Sequence, residues 1–328
     1  MDGAREYTCN KLISLGLPLA IIIVSWFSFS EPVEQWRFLL LLVVTIGYTH
    51  YLIGGYYQLK SYTRKHRPQQ YYIWFGLLTI IATGVWWWCW STDRMVELAI
   101  FMIPYFVAHG FFNEQTFVAR QLGTVLPPGI IGSITIWLAA VTTLSFLHPS
   151  AFFDKHYEYQ FQTAVTAFQF SYPQAESIVW WVIGFGLLGL VVAAVIMGHV
   201  LYRRQYLQVS LPIAVIGLGL TGLYLYMGTF NYVYLLFFLL MYHFITWMIY
   251  SGVRFYERSP TQLGWYLAWH LLIIGAVVAM MASVVVSTVS DQVAFMAMNS
   301  YLFLLLTTIH ITTSFINETW FQRAVGLR

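Results

Sequence analysis

Residues 36–58 read WRFLLLLVVTIGYTHYLIGGYYQ, an apolar run with one charge near its start (Arg37) and a histidine, His50, beyond its middle. A membrane-spanning helix needs about 20 mostly apolar residues, and this stretch is long enough. An imidazole inside a bilayer is costly and is kept mostly for function. The rest of the chain repeats the pattern. His109, His243 and His310 sit in three further apolar stretches, so the reading of 36–58 sets the reading of the whole protein.

Of 328 residues, 59% are hydrophobic and 9% charged. Soluble domains carry roughly 25% charged residues, so the composition indicates an integral membrane protein. We expect an all-α polytopic bundle of ten spans forming one membrane domain over 1–328. The spans lie at about 12–30, 36–58, 71–91, 96–119, 125–146, 178–201, 211–228, 231–252, 264–288 and 294–318. The first apolar run lacks a small-residue cleavage site and reads as a retained span, not a signal peptide. With the N-terminus inside, every one of the 16 Lys and Arg residues except Arg37, Arg94 and Lys155 falls on the inner side. Positive charge is enriched in cytoplasmic loops, so the expected topology is N-in and C-in. The net charge of +3 is too small to suggest a nucleic-acid partner. Cys9 and Cys89 fall on opposite sides of the membrane, so they form neither a disulfide nor a Cys-rich metal site. The outer loop at 147–177 holds His148, Asp154, His156 and Glu158, which read as solvated residues.

A faint parallel repeat relates 45–120 to 238–325. HYLIGGYYQLKSYTRK (50–65) parallels HFITWMIYSGVRFYER (243–258), each with a basic residue at its end, Lys65 and Arg258. HGFFNEQTFVAR (109–120) parallels HITTSFINETWFQR (310–323), and both carry Asn-Glu and then Arg. Parallel repeats of this type occur in membrane proteins.

Spans two, four, eight and ten run in the same direction. Their histidines stand ten to thirteen residues before Lys60, Arg120, Arg254 and Arg323. At about 1.5 Å per residue the four depths agree to within one helical turn. Neutral imidazole is the commonest metal ligand, so His50, His109, His243 and His310 are the candidate metal ligands. The second nitrogen of each ring needs a partner. Asn113, Thr313, Ser314 and Asn317 share helical faces with the histidines and are candidates for that role. Glu114 and Glu318 lie about 140° and 80° off those faces on a straight helix, which gives them a supporting place, not a ligating one. His199 and His270 lie near span ends and read as structural or interfacial, and His66 as solvated. Three or four imidazoles with open positions suit iron, copper or zinc. There is no HExxH zinc-protease motif and no G-x-S-x-G elbow. Two rivals stand beside a non-haem metal centre. One is a bis-histidine haem in an electron-transfer subunit with protein partners. The other is a transporter or accessory subunit whose histidines relay protons or pack helices.

Four histidines on four inward spans, paired at intervals of 59 residues (50 to 109) and 67 residues (243 to 310), with Asn-Glu after two of them, resemble the Brp/Blh family. These are prokaryotic membrane proteins of the β-carotene central-cleavage dioxygenase type, linked to retinal supply for rhodopsins. The resemblance implies that His50, His109, His243 and His310 bind Fe(II). It also implies a long apolar polyene entering from the lipid bilayer of a prokaryotic cytoplasmic membrane, and dioxygen adding across its central double bond. The chain departs from the family pattern at GYTHYLIGG, which lacks the expected acid, and at Trp247, where the family places a further histidine.

The topology is directly testable. A reporter active only in the cytoplasm, fused after Arg328, is expected to be active, and one active only outside to be silent. The reverse pattern would invert every span.

Overall fold

The computed structural model describes residues 3–30, 32–95, 232–285 and 300–327, together with 98, 101–102, 105–106, 109–110, 112–113 and 116–117. The described residues form helices and short turns, with no strand among them. The chain divides into two compact units, one of 9–88 with 236–328 and the other of 1–8 with 89–235. The expected spans at 125–146, 178–201 and 211–228 and the outer loop lie outside the described residues.

The first unit contains α1 (Gly3–Ser28, from Cys9 onward), α2 (Pro32–Tyr62) and α3 (Pro68–Ser91). It continues with α4 (Tyr232–Arg258, from Leu236), α5 (Pro260–Val285), α6 (Ser300–Ser314), a 3-10 turn (Phe315–Asn317) and α7 (Thr319–Ala324). Three of these helices begin at proline, where the missing N–H costs nothing and the fixed φ is already helical. One residue, Ser259, separates α4 from α5, and its Oγ accepts the Thr261 N–H at 3.2 Å. Among the described residues, three segments are long and apolar enough to cross a membrane: Cys9–Ser28, Pro68–Ser91 and Pro260–Ala279. Much of their surface is exposed leucine, isoleucine and tryptophan, such as Ile73, Ile80, Trp87, Leu271 and Leu272. Lipid is the solvent that such surfaces fit.

Cross-helix contacts fix directions within this unit. Residue numbers on α2 rise together with those on α6, from Gly47 beside Phe303 to the bond from Gln58 to Thr313. They also rise with those on α4, from His50 beside His243 to Tyr57 beside Phe255. The three histidine-bearing helices α2, α4 and α6 are therefore parallel. Helix α5 runs against them, since Tyr48 packs on Val277 and Tyr57 on Tyr266. Two apolar clusters hold the frame. Tyr48 and Val277 lie with Leu41, Ile273, Leu302 and Phe303 between α2, α5 and α6. Tyr62, Tyr71, Ile316 and Leu327 join the end of α2 to α3 and the C-terminal segment.

Helix α2 is 31 residues long, longer than the apolar stretch at 36–58. At about 1.5 Å per residue it reaches roughly 46 Å, past the hydrocarbon thickness of about 30 Å. The apolar run covers only part of that length. The helix within the expected span at 294–318 ends before the span does. Helix α6 stops at Ser314, a 3-10 turn follows, and Glu318 is extended at φ −76° and ψ 137°. A straight-helix placement of Asn317 and Glu318 relative to His310 therefore fails.

Close packing of α2 makes one position decisive. A Cβ on Gly47 would stand 2.5 Å from Phe303 Cε2 and 3.3 Å from Phe244 Cζ. Gly47→Val is expected to destabilise the protein by about 1–3 kcal/mol through overpacking, read as a lower thermal midpoint in detergent. Gly76→Ala, where a Cβ meets nothing within 4 Å, should leave the midpoint unchanged or raise it.

Candidate metal centre

His50, His243 and His310 come together in the first unit. Their nearest ring nitrogens all lie within 4.8 Å of one another. The Nε2 atoms of His50 and His310 are 3.2 Å apart. The His50 ring stands edge-on to His243 at 5.0 Å between centroids and to His310 at 4.7 Å. His50 and His243 are buried and His310 half-buried. Three parallel helices each supply one imidazole at one level, so the shared depth read from the sequence is realised for these three.

The surroundings are aromatic. Phe244 packs 5.0 Å from the His50 ring, and Tyr51 packs 5.1 Å from His310. The Tyr51 hydroxyl donates to Thr307 Oγ1 at 2.9 Å, the Thr307 proton being given to the Phe303 carbonyl, and this ties α6 to α2 one turn from His310. On the other side Gln58 donates to the Thr313 carbonyl at 2.7 Å. Those two bonds bracket the histidine pair and lock the register of α2 against α6. Sequence reasoning missed Gln58, although a lone amide two turns past His50 in an aromatic run was a visible signal.

Two nitrogens bound tetrahedrally to one ion at about 2.0–2.1 Å stand roughly 3.3 Å apart. The His50–His310 separation matches that value. The widest separation in the group is larger, up to 4.8 Å, and an ion would draw the rings together by up to about 1.5 Å relative to that spacing. A shared N–H···N bond between two neutral imidazoles also accounts for 3.2 Å. It does not account for a third imidazole at the same point, which is what metal binding requires. Among the described residues no carboxylate belongs to the group.

His109 belongs to the second unit. The described residues between 95 and 117 are helical, and His109 is buried there with Asn113 one turn on. Asn113 Nδ2 and His109 Nε2 are 3.0 Å apart, so the amide hydrogen-bonds the ring. If the amide donates, the His109 proton sits on Nδ1; a rotated amide would accept from Nε2–H and leave Nδ1 for a ligand. The Thr313 hydroxyl donates to the Ile309 carbonyl at 2.8 Å, the Ser314 hydroxyl to the Ile311 carbonyl at 2.6 Å, and Asn317 is exposed in the 3-10 turn. Glu318 is half-buried at the extended break before α7, and Glu114 lies outside the described residues. His270 Nδ1 pairs with the Tyr266 carbonyl at 2.8 Å, with its ring against Tyr266, which is the structural role expected of it.

Compared with known families, with curated proteins and with solved structures, the chain matches none of them.

A histidine triad that binds metal stabilises the fold by mass action. Free Zn(II) at one hundred times its dissociation constant should add about 2.7 kcal/mol, read as a rise in the thermal midpoint. His243→Ala is expected to abolish the rise and His270→Ala to preserve it.

Proposed function

We propose that this protein is a membrane-embedded, non-haem iron oxygenase acting on a long apolar substrate. The observation that carries the proposal is the buried group of His50, His243 and His310, ringed by aromatic side chains. Iron held by imidazoles with open positions supplies dioxygen activation. The chain's own part is to hold the ion through three rings from three parallel helices. Phe244 and Tyr51 exclude water beside the rings. The apolar surface around the bundle gives a lipid-dissolved substrate its route in.

The resemblance to the Brp/Blh family narrows the substrate to a carotenoid and the membrane to a prokaryotic cytoplasmic one. The net reaction then converts one C=C and one O2 into two C=O groups, each keeping one oxygen atom. No external reductant is consumed.

The test is elemental analysis and an ultraviolet–visible spectrum of the detergent-purified protein, followed by a carotenoid cleavage assay. The expected result is about one iron per chain, no Soret band, and aldehyde products whose oxygen derives from O2. His50→Ala and His310→Ala should lose both iron and activity. His109→Ala tests the fourth ligand expected from the sequence, and loss of iron would place His109 in the set. A Soret band, or stoichiometric zinc without oxygen uptake, would overturn the proposal.

A further inference from the structure

The triad brings three neutral ligands, and among the described residues no carboxylate joins them. A divalent ion there would hold its charge in a low-dielectric interior, where an uncompensated charge is strongly disfavoured. An anionic or oxygen-bearing ligand from outside the chain would supply the compensation. The packing shows from which side it can come.

One turn before His50, at Gly47, the α2 backbone is closed over by Phe303 and Phe244. One turn after it, at Gly54, a Cβ would meet only the edge of the His310 ring, 3.5 Å from Cε1 and 3.9 Å from Nδ1. Among the described residues the His50 face of α2 is thus packed shut toward the start of the helix and more open at Gly54.

Thr246 lies on that open side, one turn past His243 on α4. At 3.6 residues per turn it points about 60° from the direction of His243. It is 1% exposed, and its hydroxyl has no hydrogen-bond partner among the described residues. That is unusual for a threonine in these helices. Thr45, Thr49, Thr307 and Thr308 each donate to the carbonyl four residues back. Tyr48, another buried hydroxyl without a partner, is two positions before His50. Two positions are about 200° around the helix, which turns it away from the centre.

We propose that the Thr246 hydroxyl donates a hydrogen bond to a small anionic or oxygen-bearing ligand on a metal ion held by His50, His243 and His310, and that Gly54 keeps that ligand's side open. This rests on the reading of the triad as a metal centre. Thr246 is a positioning residue in this account. It takes no part in holding the ion.

Cobalt(II) and azide test it. The full-length protein is loaded with cobalt in detergent, and azide is titrated against its visible absorption bands. The wild type is expected to hold one cobalt per chain and to bind azide. Thr246→Val should keep its cobalt and bind azide about tenfold more weakly, the effect of one lost hydrogen bond. Thr246→Ser should restore the affinity, and Gly54→Leu should keep cobalt while blocking azide. Cobalt retained with unchanged azide affinity in Thr246→Val would overturn the proposal, as would loss of cobalt from that variant. A wild type that takes up no cobalt would instead sink the metal centre itself, and this inference with it.

Discussion

Three imidazoles buried at one level of an apolar bundle are the constraint on which the rest depends. Each ring brings polar nitrogens into surroundings that cannot solvate them, a cost of several kcal/mol when left uncompensated. His50 and His310 meet part of it by sharing a contact at 3.2 Å. With His243 added, a bound cation satisfies all three rings at once. The same geometry that makes the group costly without an ion makes it a good site for one.

Much of the surrounding packing serves to hold that level. The three helices are parallel, so a slip of one residue on any of them would move its histidine by about 1.5 Å along the axis and 100° around it. The bonds from Gln58 to Thr313 and from Tyr51 to Thr307 stand on either side of the pair and resist such a slip. Gly47 lets the rings of Phe303 and Phe244 approach α2. Among the described residues, the same helix is closed on one side of the histidines by aromatic rings and less closely packed on the other, at Gly54.

Much of this was legible in the sequence. Apolar runs of about 20 residues located α1 to α6, and their common direction and depth placed three of the histidines correctly with respect to one another. Those features follow from helix rise and bilayer thickness, which hardly depend on tertiary detail. The supporting residues were less legible, because they depend on local competition for hydrogen bonds. Thr313 and Ser314 share the His310 face by spacing, and what spacing does not show is that their hydroxyl protons go to backbone carbonyls of α6 itself. Asn317 and Glu318 were placed on a continuous helix, and the chain leaves that helix after Ser314. Asn113 meets His109 because an amide one helical turn from a histidine has the ring nitrogen within reach.

The central claim is that imidazoles from α2, α4 and α6 share one metal ion. X-ray absorption at the metal edge of the purified, unchelated protein tests it most directly. The account predicts a shell of light donors at about 2.0–2.2 Å with the outer-shell scattering of about three imidazole rings, reduced by one ring when His243 is replaced by alanine. A metal whose spectrum shows no imidazole scattering, or one unchanged by that replacement, would contradict it.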